Sequence, residues 1–486
     1  MVISKILNIP PPSRRDARAP NYFGNKSKNI YSSDIGIEFM KISSGSAGQA
    51  IETPAYPSAG YSWYVVAVLY LTYTFSFVDR ALIVYLVGPI RADLQINDFQ
   101  FSLIQGLAFT AFYATIGIPL GRLADSRSRR VLLAVGIALW SCMTVSCGMA
   151  SSYWELFFAR MGVGVGEACL APCAYSMISD YFPREKRSLP LNIFAAGVML
   201  GSGLANVCGG LIAQFSLNGG PRNILLLGLL KPWQLSFVLV GLPGVFFVFA
   251  LATVKEPVRR EVRGKANSAL MFRYLLRHWA TYCSLIGGTT FGAMANGAIL
   301  GWIPAWFTRR YAWNNAQIGP YLGVTNFIFG TVGLILAGVL AGKHIRSGRK
   351  AVHIKLMMAA EGLVIIPLIL AHAIDNPYWV LLCSGGVIFF GGFSAGLGPA
   401  SLQSITPNEM RGQVTAVCFL LLNLIAGAIG PGAVGFLTTY CFADDKAVRS
   451  SAVIVGVVAS ILGLISLRLG LRAYERTAEE NSLAQS

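Results

Sequence analysis

The sequence predicts an all-α integral membrane protein, with twelve transmembrane helices in two pseudo-symmetric six-helix halves. Three observations carry that expectation. Only 13% of the 486 residues are charged and 54% are hydrophobic, with a mean hydropathy of +0.57, whereas soluble domains carry about 25% charged residues. Apolar stretches long enough to cross a bilayer recur from Ser62 onward. Basic residues gather in alternate loops, so the net charge of +17 reads as a topology signal and not as a footprint for nucleic acid.

The elements follow in order. Residues 1–60, rich in Ser, Pro and Asn and carrying Arg14, Arg15, Arg18, Lys26, Lys28 and Lys41, hold too little apolar surface to offset chain entropy. They read as a disordered cytoplasmic tail without a secretory signal, and Met40 offers an alternative start. Spans are expected at 62–88, 101–121, 131–150, 154–181, 189–215, 233–254, 279–306, 317–341, 352–372, 378–404, 414–440 and 451–472. Each is long enough to cross a core of about 30 Å at 1.5 Å per residue. Helices are required because open strands would leave backbone groups unsatisfied in lipid. The expected divisions are a first half at 61–254, a basic cytoplasmic linker at 255–277, a second half at 278–473 and a cytoplasmic C-terminal tail at 474–486.

Of the 39 Lys and Arg, 30 fall in the tails and loops of one side, 7 on the other, and Arg80 and Arg160 lie within spans. The positive-inside rule then places both termini in the cytoplasm and the protein, multi-pass, in the cell's inner (plasma) membrane. A repeat supports two halves. Pro183-Arg184-Glu185-Lys186-Arg187 follows span 4 and Pro407-Asn408-Glu409-Met410-Arg411 follows span 10, 224 residues on. Gly121-Arg122-Leu123-Ala124 and Gly338-Val339-Leu340-Ala341 end spans 2 and 8 at an offset of 217. Parallel repeats around a central site are a transporter architecture.

Charges inside spans are the functional candidates. Asp79, Arg80, Arg160 and Glu167 would each cost about 2.5–3.5 kcal/mol at mid-bilayer if unpaired, on the order of 10 kcal/mol together, so they must face one another or a wet cavity. Arg160 and Glu167 share one helix face but are separated by about 10 Å of rise. Each is therefore expected to meet Asp79, Arg80 or substrate. A permanent ion pair between spans 1 and 4 that only holds the fold is the competing reading. Asn296, Asn326 and Asn423 could supply hydrogen bonds to substrate or merely between helices, and Phe291, Phe327 and Trp302 could line an aliphatic site. Glu361 reads as a snorkelling or packing residue near the inner interface.

The loop Gly121-Arg122-Leu123-Ala124-Asp125-Ser126-Arg127-Ser128-Arg129-Arg130 resembles the signature between spans 2 and 3 of the major facilitator superfamily, with Ser126 and Ser128 departing from it. The resemblance covers about 62–472 and implies the major facilitator fold. It makes Gly121, Asp125, Arg129, Arg130 and Asp180 a cytoplasmic gate: Gly121 for close helix approach, Asp125 near a helix N-terminus, Arg129 paired with an acid such as Asp180. A merely topogenic basic loop is the alternative. Phe77-Val78-Asp79-Arg80, Asp93-Leu94, Trp140-Ser141, the Arg160–Ala168 segment and Gly201-Ser202-Gly203 are similar to the Spinster-like branch. That resemblance implies transport of lysolipids, sphingoid phosphates or related amphiphiles, with proton coupling.

The expected function is secondary active transport by alternating access. It would be a proton-coupled export of an amphiphilic or lipid-like organic anion. Asp79 and Glu167 are the proton carriers, and Arg160 is the anion contact with Arg80 beside it. Rivals are proton-coupled uptake of a small organic anion and a non-transporting membrane sensor. No cofactor, metal or nucleic acid is expected, and the protein is expected to be a monomer among membrane lipids. An enzyme is not expected. Gly392-Phe393-Ser394-Ala395-Gly396 matches a nucleophile elbow, but it lies inside an apolar span with no His after His372. Gly162, Gly164 and Gly166 follow no strand and suit close helix packing. The nine Cys contain no C-x-x-C pair, and no disulfide framework is expected.

Overall fold

The computed structural model describes residues 56–183, 185–224, 227–259, 268–407 and 410–485. The expected tail lies outside them up to residue 55, as do 260–267 of the linker and Asn408-Glu409 of the second repeat motif. Twelve helices among the described residues are long and apolar enough to cross a membrane. Span 1 is Ala59–Tyr85, span 2 Asp98–Ser126, span 3 Arg129–Cys147 and span 4 Tyr153–Tyr181. Span 5 is Ser188–Asn218, span 6 Pro232–Ala252, span 7 Trp279–Tyr311 and span 8 Asn315–Arg346. Span 9 is Val352–Ala373, span 10 Pro377–Ile405, span 11 Arg411–Cys441 and span 12 Asp445–Glu480, whose helix continues to Gln485.

Local chemistry sets the ends. Asn97 and Gln100 form a capping box at span 2, and Asn314 and Gln317 form another at span 8. Ser128, Ser152 and Asn376 cap spans 3, 4 and 10 through their side chains, each satisfying orphan backbone N–H groups. Pro232 and Pro377 stand at first helical positions, where a missing N–H costs nothing. Between spans 5 and 6, β1 (Arg222–Ile224) and β2 (Gly228–Leu230) form an antiparallel hairpin with Asn223 opposite Leu229.

Span 1 begins and span 12 ends on one face, termed the terminal face; the opposite one is the distal face. The two halves meet along spans 5 and 8 and along spans 2 and 11, in the distal portions of those helices. A Cβ on Gly210 would lie 2.5 Å from the Asn315 carbonyl, and one on Gly106 would lie 2.7 Å from that of Gly427. Only glycine permits backbones this close. Gly106 sits in a π-helical turn, Leu103–Ala108, the kind of local bulge that re-aims one stretch of a helix.

Toward the terminal ends of spans 2 and 8 three glycines make no such approach. Gly121, Gly338 and Gly342 have no atom of another element within 4 Å of where a Cβ would stand. Gly121 therefore makes no close helix approach in this conformation, contrary to the expectation from its motif. The close backbone contacts described between the halves lie toward the distal face.

Candidate functional site

Asp79 and Arg80 are neighbours on span 1, so their side chains leave the helix about 100° apart. Each finds a different partner on span 4. Arg160 Nη1 pairs with Asp79 Oδ1 at 3.2 Å, with the two side chains 1% and 0% exposed. Trp140 Nε1 and Thr144 Oγ1 of span 3 donate to Asp79 Oδ2 at 2.9 and 2.7 Å. Arg80 Nε donates to Glu167 Oε2 at 2.7 Å, and its Nη2 lies 2.5 Å from the same oxygen. Glu167 is sealed, but the Arg80 side chain keeps 26% of its exposure.

Span 2 holds these pairs in place. A Cβ on Gly164, midway between Arg160 and Glu167, would come 2.5 Å from the Phe109 carbonyl. That approach sets the Phe109 ring 4.8 Å from Arg80 Cζ and 5.5 Å from Arg160 Cζ, with Tyr113 at 4.7 Å from Arg80. Ring faces favour such cations, all the more where water is excluded. Two atoms stay unpaired in the cluster, Glu167 Oε1 and Arg160 Nε. The four charges sum to zero, and of the four only Arg80 keeps appreciable exposure.

The asparagines are dispersed. Asn326 donates to Ser202 Oγ at 2.6 Å, joining span 8 to span 5. Asn423 donates to Phe419 O of its own helix at 2.7 Å. Asn296 lines a small cavity inside the second half. Trp302 is fully buried and donates to Pro431 O at 3.0 Å, so it packs spans 7 and 11 and lines no site.

The loop between spans 2 and 3 is tied to its own half. Arg129 pairs with Asp180, donates to Ser176 Oγ at 2.9 Å and to the Pro257 carbonyl at 2.9 Å, and pairs with Glu256 at 2.8 Å. Ser128 Oγ and the Arg130 N–H both donate to Glu256 Oε2, at 2.9 and 2.8 Å. Arg130 Nη2 reaches Ala252 O at 2.9 Å. Burial pushes the Glu256 carboxyl up, but the Arg130 N–H, Arg129 and Ser128 together hold it below the usual range. The acid at the N-terminus of span 3 is thus Glu256 from the linker and not Asp125. Asp125 is exposed, and its carbonyl accepts from Arg259 at 2.5 Å. The hydrogen bonds and ion pairs described for these residues all stay within the first half and its linker.

Apart from Asn326, sequence reasoning missed the residues that cross between halves. On the distal face Arg309 holds Asp98 through two 2.7 Å bonds, and Arg91 pairs with the same Asp98 at 3.0 Å. Arg91 also grips Asp445 at 2.9 and 3.0 Å. Asn315 donates to Tyr85 O, and Gln105 to Gly301 O. These residues lie at span ends, where charge is ordinary, so only proximity in the fold distinguishes them. Glu361 was also misplaced: it is 3% exposed, midway along span 9, and accepts from Ser394 Oγ at 2.8 Å.

This arrangement agrees with comparisons to known proteins. Residues 69–431 match the family model of the Major Facilitator Superfamily. An MFS-type efflux pump of Mycolicibacterium smegmatis is 27% identical over 87% of this chain and 95% of its own length. A sphingosine-1-phosphate transporter of Xenopus tropicalis is 25% identical over 59% of this chain and 56% of its own. In fold, the chain resembles the crystal structure of a bacterial homologue of the human lysosomal transporter Spinster, inward-facing and occupied. The TM-score is 0.71 at 24% identity, covering 87% of this chain and 98% of that one. The chain belongs to the major facilitator superfamily of membrane transporters, and its sequence is Spinster-like.

Proposed function

We propose that this protein exports an amphiphilic organic anion by alternating access, with proton coupling, in the cell's inner (plasma) membrane. The observation that carries the reading is the asymmetry of the two ion pairs. Arg160 is sealed against Asp79, whereas Arg80 pairs with a sealed Glu167 and stays partly exposed. Arg80 is therefore the residue an anionic head group meets first, with Arg160 behind it. As the head group takes Arg80, Glu167 loses its counter-charge in a dry setting and accepts a proton.

Both termini are taken as cytoplasmic from the charge of the loops, which makes the terminal face the inner one. The basic loop with Asp125, Arg129, Arg130 and Asp180 would act in gating by holding the first half to its linker. Asp79 would serve as a second carrier, and Asn326 would contact substrate where spans 5 and 8 meet. The names of the relatives support efflux and a phosphorylated long-chain substrate. The protein would work as a monomer, taking its substrate from surrounding lipid.

The test is proton flux in proteoliposomes under an imposed pH gradient, with sphingosine-1-phosphate and lysophospholipids as probes. Substrate-dependent flux is expected, abolished by Arg80→Ala and made insensitive to pH by Glu167→Gln. Unchanged transport and pH dependence in Glu167→Gln would remove that residue from the mechanism. Flux driven only in the uptake direction would favour a symporter.

A further inference from the structure

The second half buries one carboxylate that the mechanism above leaves unused. Glu361 lies at the junction of spans 7, 9 and 10, which corresponds in the second half to the junction of spans 1, 3 and 4 that holds Asp79. The two acids differ in their company. Asp79 has Arg160, but no Lys, Arg or His nitrogen among the described residues lies within 4.0 Å of Glu361.

Its surroundings are small and apolar residues, among them Ala295, Val364 and Phe390, with one hydroxyl and one amide. Span 10 presents Ser394, the serine of the false nucleophile elbow, whose Oγ donates to Oε1 at 2.8 Å. Span 7 presents Asn296, and Gly292 packs so tightly that a Cβ there would lie 2.2 Å from Oε1. Span 12 presents Gly463, with its Cβ position 3.5 Å from Oε2. Arg468, further along span 12, is exposed, and Lys355 on span 9 itself is engaged by Glu475. Glu361, Asn296 and Gly391 line a cavity of about 10 Å³, room for about one water molecule.

An ionised carboxylate with one neutral donor and no cation is strongly disfavoured in such a place, and the group neutralises instead. We propose that Glu361 is a proton-binding site of the second half, beside the cavity shared with Asn296, held as a neutral acid with Oε1 on Ser394 and the proton on Oε2. The proton is bound while spans 7, 9 and 10 enclose it and is released when they part. This site is independent of the Arg80–Glu167 pair.

Infrared difference spectroscopy of the purified full chain in lipid nanodiscs, titrated from acid to alkaline pH, reads the proton without any transport assay. The measurement is made in a Glu167→Gln background so that the two acids are not confused. Expected is a protonated-carboxyl band at neutral pH that fades on alkalinisation and is missing in Glu361→Gln. Ser394→Ala should shift the band, since it removes the hydrogen bond to Oε1, and it serves also if Glu361→Gln fails to fold. The absence of any such band in the Glu167→Gln protein, or a band unmoved by Ser394→Ala, would overturn the proposal. So would thermal stabilisation by sodium chloride over choline chloride that is lost with Glu361, which would make the site a cation site.

Discussion

Arg309 and Asp98 form a two-pronged ion pair, both bonds 2.7 Å long, that ties the end of span 7 to the start of span 2. Asp98 is 1% exposed and shared with Arg91, so this corner closes the distal face with charge that water scarcely screens. Removing the acid should bias the whole molecule. Hydrogen bonds to charged groups contribute about 1.5–3 kcal/mol, enough to shift a two-state balance by roughly ten- to a hundredfold. In Asp98→Asn, spin labels at Ala92 and Lys446 should give longer distances than in the unsubstituted protein. Identical distance distributions would show that the corner does not govern closure.

The two intramembrane pairs should differ in what their loss does. Arg160→Ala leaves Asp79 buried without a counter-charge, a defect of about 3–5 kcal/mol, and should lower the unfolding midpoint sharply. Adding Asp79→Asn should restore most of it. Arg80→Lys keeps a charge at the partly exposed position and should fold normally, yet bind the anionic probe at least tenfold more weakly. Thermal unfolding and probe titration measure these effects, and equal destabilisation by both substitutions would contradict the asymmetry.

The crossing of spans 5 and 8 has no space for a side chain. Gly210→Val places carbon 2.5 Å from the Asn315 carbonyl and 2.8 Å from Gly319 Cα. Overpacking of this kind costs about 1–3 kcal/mol. The variant should lose a crosslink between cysteines placed at Gln214 and Asn315, while its helix content stays unchanged. A retained crosslink would mean that the backbones can give way.

Glu256 supplies a pH response in the linker. Its carboxyl is held below the ordinary value of 4.5 in the folded protein, so its contribution is complete above that value and is lost as pH falls through the lower, folded one. The Arg130 amide, which donates to Glu256, should exchange faster in acid after correction for the intrinsic rate. Glu256→Gln should exchange at one corrected rate throughout. A rate in the unsubstituted protein that ignores pH would refute the effect.

Much of the fold was legible because the bilayer imposes its length on every apolar stretch. Thus Ser188–Asn218 and Pro377–Ile405 lie within a few residues of their expected ends. The four intramembrane charges were legible for the same reason, since a charge inside a span needs a partner. Which acid meets which arginine was not, because Asp79 and Arg80 are adjacent and only the azimuth of span 1 assigns them to Arg160 and Glu167. Asp98 and Arg309 are 211 residues apart and unremarkable at their helix ends. Glu361 was misjudged because distance from Lys355 along the chain was taken for depth, and helix packing hides that carboxylate from the interface.

The glycine crossings of spans 2 with 11 and 5 with 8 have a mechanical consequence. Where backbone rests on backbone, no rotamer can flip to absorb a lateral slip, so displacement along the contact meets a hard wall while tilting about it does not. The two crossings therefore serve as bearings.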